Sequence, residues 1–364
     1  MRRGLISWSP EEMPVATLEA RVSRLQQAMR EQQLGAVLLH TSFAHPAAVH
    51  WLTNFTPYWS EALLVVLPQG TPVLLAALTQ RVHPWIREVS HLGDVVTAPN
   101  LGASALSYLG EHTAPGAKVG VVGLDALPWP TAQPLMSSGW GPLLTDVSEL
   151  FAQLRQPADM TELRLAARAE QMADAALKAS PVTVQSTNAW ASAIEAKARL
   201  DGAEELLQRI APDLSHSPTL QRLEGDFPLG EKRAVELSLA YKGAWVRVTQ
   251  MVCSGPKPAS WLDAQNWFER AWRSLRAPHA DLSLADAPPP GRLVNWTLQA
   301  CMGAEPLEVV AANTGFVPRA LPEHALALLT VQLQLADGPW YASQMLVLGA
   351  GDNDSRRLQD VAGH

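Results

Sequence analysis

Residues 234–241 (A-V-E-L-S-L-A-Y) and 243–253 (G-A-W-V-R-V-T-Q-M-V-C) constrain the fold of this chain more than any other stretch. Both are long and largely apolar, the second is rich in β-branched residues, and Lys242-Gly243 separates them. Glycine accepts positive φ without steric cost, so the pair reads as a β-hairpin. Each run carries one charge, Glu236 and Arg247. A charge inside an apolar strand must be paired or used, because burying it alone costs too much.

The rest of the chain falls into two textures. Residues 17–33 put Leu18, Val22, Leu25 and Met29 on one helical face, with Thr17 suited to cap the start and Gly35 the exit. The run at 36–40 and those at 62–67 and 72–78 read as strands, the last two forming a hairpin. A further strand is expected at 118–124. Alternation of helices and strands makes residues 1–153 an α/β domain. The second domain, 154–352, opens with Asp159 and Glu162 in capping-box spacing, which predicts a helix over 160–179 with Leu163, Ala167, Met172 and Leu177 inward. A second helix is expected from Asn188 to Arg199 and a short helical turn over Ala203–Leu207. A helix over 259–276 would bury Leu262, Trp267, Ala271 and Leu275. A Pro-rich linker (285–291) leads to a helix around 292–302. Strands at 325–335 and 341–349 flank the turn Asp337-Gly338, and residues 353–364 form a polar tail.

Composition narrows the function classes. Of the 364 residues, 47% are apolar and 17% charged, as in an ordinary globular protein. The net charge of −7 and the lack of a basic, aromatic-interleaved patch argue against nucleic-acid binding. Two cysteines, Cys253 and Cys301, have no C-x-x-C spacing, which excludes a cysteine-rich zinc site and fits a reducing compartment. No apolar run approaches the roughly 20 residues that span a bilayer, and the start lacks a signal-peptide core. A cytoplasmic protein without a membrane partner is expected.

The order of the segments resembles the prolidase, aminopeptidase P and creatinase family. R-L-Q-Q-A-M-R-E-Q-Q-L-G-A-V-L-L (24–39) is similar to that family's opening helix and strand. V-H-W-L-T-N-F (49–55) and L-R-Q-P-A-D-M-T-E-L-R-L-A-A-R-A (154–169) are similar to later landmarks. The resemblance spans residues 18–350. It implies an α/β N-terminal domain followed by an α+β pita-bread domain, and a homodimer.

The family holds two metal ions with two aspartates, a histidine and two glutamates, because hard dications need oxygen donors and an imidazole in close array. Carried over by position, Glu236 stands at the first aspartate place, Arg247 at the second, Thr330 at the first glutamate place and Ser343 at the last. The region that should supply the histidine, 309–320, contains none. The resemblance therefore implies a degenerate member without bound metal or other cofactor. In such a pocket Arg247 has two uses. It pairs with Glu236, which is preferred because a buried Arg requires a partner, or it binds a carboxylate or phosphate.

Other constellations are weaker. His279 and His324 are candidate bases for a metal-free hydrolase, yet neither stands where the family places its catalytic histidine. Ser238, Ser254 and Ser343 lack a nucleophile context. His40, His45 and His50 recur at a spacing that fits neither a helix face nor a zinc site. Trp261, Trp267 and Trp272 suit a core or a subunit contact. Three functions stay open: a binding protein for a peptide, small anion or partner, without metal-dependent peptidase activity; an active Xaa-Pro peptidase or creatinase-type hydrolase with a non-standard site; and a structural subunit pairing with an active relative.

Overall fold

The computed structural model describes residues 8–179, 184–276, 288–302, 307–313 and 324–349. Alternating apolar segments build the first domain: α1 (Val15–Glu31), β1 (Leu34–Thr41), α2 (Ala47–Thr53), β2 (Ala62–Val66), β3 (Val73–Ala76), α3 (His83–Val89), β4 (Asp94–Thr97), α4 (Leu101–His112), β5 (Lys118–Val122), α5 (Trp129–Met136), β6 (Leu144–Asp146) and α6 (Ser148–Leu154). The strands form one sheet in the order β4-β3-β2-β1-β5-β6. The β2–β3 hairpin is antiparallel, and β1 pairs antiparallel with β2 and parallel with β5. Strands β1 and β2 are buried almost throughout, so apolar clusters fill both faces of the sheet.

Two local expectations for α1 change. Its N-cap is Pro14, and the Thr17 hydroxyl instead meets the Thr161 hydroxyl across the domain boundary at 3.1 Å. The positive-φ residue behind the helix is Gln33, not Gly35. Gly35 sits inside β1, where a Cβ would come within 2.7 Å of the Ala117 Cβ.

The second domain begins with α7 (Met160–Ala179) and α8 (Thr187–Leu200). The capping box forms as spaced: the Glu162 N–H donates to Asp159 Oδ1 at 3.0 Å and the Asp159 N–H to Glu162 Oε2 at 3.2 Å. Ala167, Met172 and Leu177 are buried, while Leu163 is only partly so. The chain continues through β7 (Glu205–Ala211), β8 (Lys232–Tyr241), β9 (Ala244–Cys253), α9 (Ala259–Ser274), β10 (Arg292–Ala300), β11 (Glu308–Ala312), β12 (Leu326–Leu335) and β13 (Gly338–Val347). These strands make two sheets, β7-β8-β9 and β11-β10-β12-β13. Leu237 and Leu239 are fully buried with α7 and α8 on one face of the smaller sheet, each contributing about 2 kcal/mol by its burial.

Three sequence expectations fail here. The helical turn over Ala203–Leu207 is largely strand: β7 pairs with β8 along its whole length, and this pairing overrides the helix preference of Glu-Glu-Leu-Leu. The helix around 292–302 is β10, held between β11 and β12 and carrying β-branched and aromatic residues that suit a strand. On α9, Leu262 is 64% exposed; Trp261, Ala264, Trp267, Phe268 and Ala271 form the buried stripe, with Leu275 beyond the helix end. His279, Leu321-Pro322, residues 285–287 of the Pro-rich linker and the tail 353–364 lie outside the described residues. No described helix is long and apolar enough to cross a membrane.

The domains meet over a polar clamp. Buried Arg21 of α1 donates to Asp159 Oδ2 at 2.7 Å and Oδ1 at 3.0 Å, and to the Trp51 carbonyl at 2.7 Å. The guanidiniums of Arg21, Arg24 and Arg155 all lie within 5.6 Å of the centre of the Trp51 ring. Burial alone would raise the Asp159 carboxyl. The Arg21 hydrogen bonds and charge outweigh it, with help from the Glu162 N–H and Arg24, and hold it below its ordinary pKa.

Candidate functional site

The β8–β9 hairpin turns at Lys242-Gly243, both with positive φ (45° and 78°), the backbone pattern of a type I′ turn. That turn fixes the register: Glu236 opposes Thr249 and Ser238 opposes Arg247. The next strand adds Arg209 opposite Glu236. Directly opposed residues share a face of the sheet, so Arg209, Glu236, Ser238, Arg247 and Thr249 all stand on one side. On the larger sheet, Thr330 opposes Ser343. The edges of β9 and β13 come together there: the Ser343 hydroxyl donates to the Arg247 carbonyl at 3.0 Å and lies 2.9 Å from the Thr249 hydroxyl.

The structure thus gathers all four positions singled out from the sequence. Glu236 and Arg247 lie across the hairpin, Ser343 touches the Arg247 backbone, and Thr330 is Ser343's cross-strand neighbour. The Glu236–Arg247 pair is a loose one, with Nε and Oε1 3.7 Å apart. Arg247 is bonded more closely elsewhere, from Nε to Ser238 Oγ at 3.1 Å and from Nη1 to Gln299 Oε1 at 3.2 Å. Glu236, 4% exposed at its side chain, is shared with Arg209, whose Nη1 lies 3.3 Å from the same oxygen. The Thr330 hydroxyl is buried and has no hydrogen-bond partner among the described residues.

Arg209, Gln299 and Thr249 are members of this cluster that sequence reasoning missed. Arg209 lies just beyond the turn read as helical (203–207), on a strand the sequence reading does not assign, and Gln299 lies on the strand read as a helix, so neither had a face to share with Arg247. Thr249 was in plain view, two residues beyond Arg247 on the same strand face. Ser238, considered as a nucleophile, instead accepts the Arg247 hydrogen bond. Ser254 accepts from Arg233. His324 is exposed with positive φ, its backbone bonded to Leu348 and Ala158. His50 has a structural role: Nε2 lies 3.1 Å from the Lys242 carbonyl and Nδ1 3.1 Å from the Thr56 hydroxyl, so it props the hairpin tip.

This donor set does not fit the metal pair that the fold family implies. One carboxylate is present at the four positions, and two guanidiniums already face it. At about 4 Å and an effective dielectric near 20, each guanidinium would repel a dication by roughly 8 kcal/mol. Among the described residues no group of three or more His, Cys, Asp or Glu is arranged to hold a metal ion.

A groove of about 580 Å³ starts at Thr249 and Ser343 and runs between β9, β13 and the start of α9, past Met251, Leu262, Trp340 and Tyr341. Its volume falls in the usual range for small-ligand sites, about 300–1,000 Å³. A smaller cavity of about 60 Å³ lies at the domain clamp beside His50, Trp51 and Gly243.

Comparison with known proteins agrees with this architecture. Residues 21–156 match the creatinase/prolidase N-terminal domain model. About nine-tenths of the chain superposes on solved structures of this fold. The chain has the creatinase/prolidase fold. The X-Pro aminopeptidase from Thermotoga maritima MSB8 matches with a TM-score of 0.68 at 14% identity, covering 90% of this chain and 94% of that one. The prolidase from Pyrococcus horikoshii OT3 gives 0.67 at 13% identity, covering 91% and 96%. Dipeptidase PepE from Mycobacterium ulcerans gives 0.66 at 16%, covering 93% and 95%. No curated protein sequence matches the chain. Likeness at these identities shows the fold, an α/β domain followed by a pita-bread domain, and leaves the chemistry to the side chains of this prolidase-like chain.

Proposed function

We propose that this chain is a metal-independent binding protein that keeps the prolidase fold and has no metal-dependent peptidase activity. The observation that carries the proposal is the setting of Arg247. Its guanidinium is tied to Ser238 and Gln299 and faces Glu236, on the sheet face where the resemblance aligns metal ligands. A cation there meets fixed positive charge, and the remaining positions offer neutral hydroxyls, which are weak ligands for hard dications.

The test is metal analysis of purified protein after incubation with manganese or cobalt and dialysis, together with hydrolysis of an Xaa-Pro dipeptide under the same metals. Substoichiometric metal without turnover is expected. Stoichiometric metal accompanied by turnover would refute the proposal.

A further inference from the structure

The site carries unbalanced charge. Glu236 supplies one negative charge and Arg209 and Arg247 supply two positive ones, and both guanidiniums address the same oxygen, Oε1. Their separations of 3.3 and 3.7 Å exceed the roughly 2.7–2.9 Å of a good charge-assisted hydrogen bond, so Glu236 saturates neither. Among the described residues, no other carboxylate pairs with Arg209 or Arg247, and the Nη2 group of each is without a protein partner. Arg247 is partly and Arg209 about half open to solvent.

The neighbouring groove is lined by residues that adjoin these arginines. Ser343 and Thr249 line it, the first bonded to the Arg247 carbonyl and the second opposite Glu236. Tyr341 lines it too and lies close enough to feel the charge of Arg209. Lys257 is the only charged side chain among the described residues of that wall, and Leu262 stands 64% exposed in it beside half-buried Val248 and Met251. A net charge of plus one beside a mostly uncharged groove complements one negative charge on an apolar body.

We infer that Arg209 and Arg247 hold the carboxylate of a monoanionic ligand whose apolar body lies in the groove along β9, β13 and α9. This rests on the metal-free proposal above. The planar guanidinium fork matches a carboxylate. A tetrahedral dianion would overcompensate the single unit of charge.

The experiment is calorimetric titration of the full chain with N-acetyl-L-leucine, its neutral amide and inorganic phosphate. The acid should bind at least about tenfold more tightly than the amide, as expected for loss of a charge-assisted bond. Arg209→Gln and Arg247→Gln should each weaken the acid by about tenfold or more and leave the amide unchanged. Arg209 is half exposed, so its variant tests the idea even where Arg247→Gln misfolds. Leu262→Gln should weaken acid and amide alike. Equal binding of acid and amide, tighter binding of phosphate than of the acid, or no heat with any probe overturns the inference. Failure of the metal-free proposal would appear separately, as bound metal with dipeptide turnover.

Discussion

Glu170, on α7, gives a prediction whose magnitude follows from its surroundings. Burial is the main influence on its carboxyl and the charge of Asp174, one turn later, adds to it, while the hydrogen bond from Gln344 Nε2 at 3.3 Å works in the opposite direction. The result is a pKa raised from 4.5 to about 7. Between those values the folded chain keeps a proton that the unfolded chain has released, so stability must fall as pH rises through this window. A shift of that size corresponds to on the order of 3 kcal/mol, present near pH 4.5 and lost above pH 7. Glu170→Gln mimics the protonated acid and still accepts from Gln344. Urea denaturation of both proteins from pH 4 to 8.5 should show near-equal stability at the acid end and the variant more stable by about 3 kcal/mol at the alkaline end. Other titrating groups cancel in the difference. A difference between the two proteins that does not change with pH would refute the reasoning.

Arg21→Ala breaks a buried pair and should cost about 3 kcal/mol or more at pH 7 by urea denaturation. Because the Asp159 carboxyl is held low when folded, that advantage of the native protein should shrink as pH falls below the ordinary carboxylate range; a loss constant with pH would show that packing, not the pair, is responsible. Gly243→Ala places a Cβ 2.4 Å from His50 Nε2 at φ +78°, whereas Gly70→Ala, at φ +84°, meets nothing within 4 Å. Gly70→Ala should cost about 1 kcal/mol for backbone strain, and Gly243→Ala clearly more in the same assay, since His50 must leave the Lys242 carbonyl. Equal losses would mean that His50 yields freely.

Elements set by local chemistry were legible in the sequence. Lys242-Gly243 fixed the hairpin and hence the facing of Ser238 and Arg247, and Asp159 with Glu162 marked the start of α7. What escaped was non-local. Glu205–Ala211 has helix-forming residues and becomes a strand because the exposed backbone of β8 offers it a full ladder. Arg292–Ala300 becomes the strand that joins β11 to β12. With both misread, Arg209 and Gln299 were unassigned, and the Glu236–Arg247 pair looked self-sufficient. The loose geometry and the second guanidinium, visible only across strands, turn a closed ion pair into a site with positive charge to spare.

The same hairpin ties that site to the first domain. Its tip is held by His50 at the Lys242 carbonyl, by Glu12 at both the Tyr241 hydroxyl (2.6 Å) and the Lys242 ammonium (3.4 Å), and by Glu204 Oε2 at the Gly243 N–H (3.3 Å). Burial and the Glu12 carboxylate raise the Tyr241 phenol well above its ordinary pKa, so it stays a donor at any pH where the fold survives. Arg247 lies four residues beyond Gly243 on the same paired strand, so little freedom separates the anchored tip from the guanidinium. A charged group that binds without a metal depends on being held in place, since only a pre-positioned guanidinium avoids losing side-chain entropy on binding. In the proposed carboxylate site the first domain would supply that positioning through the hairpin, which would give a physical reason for the two domains to stay joined.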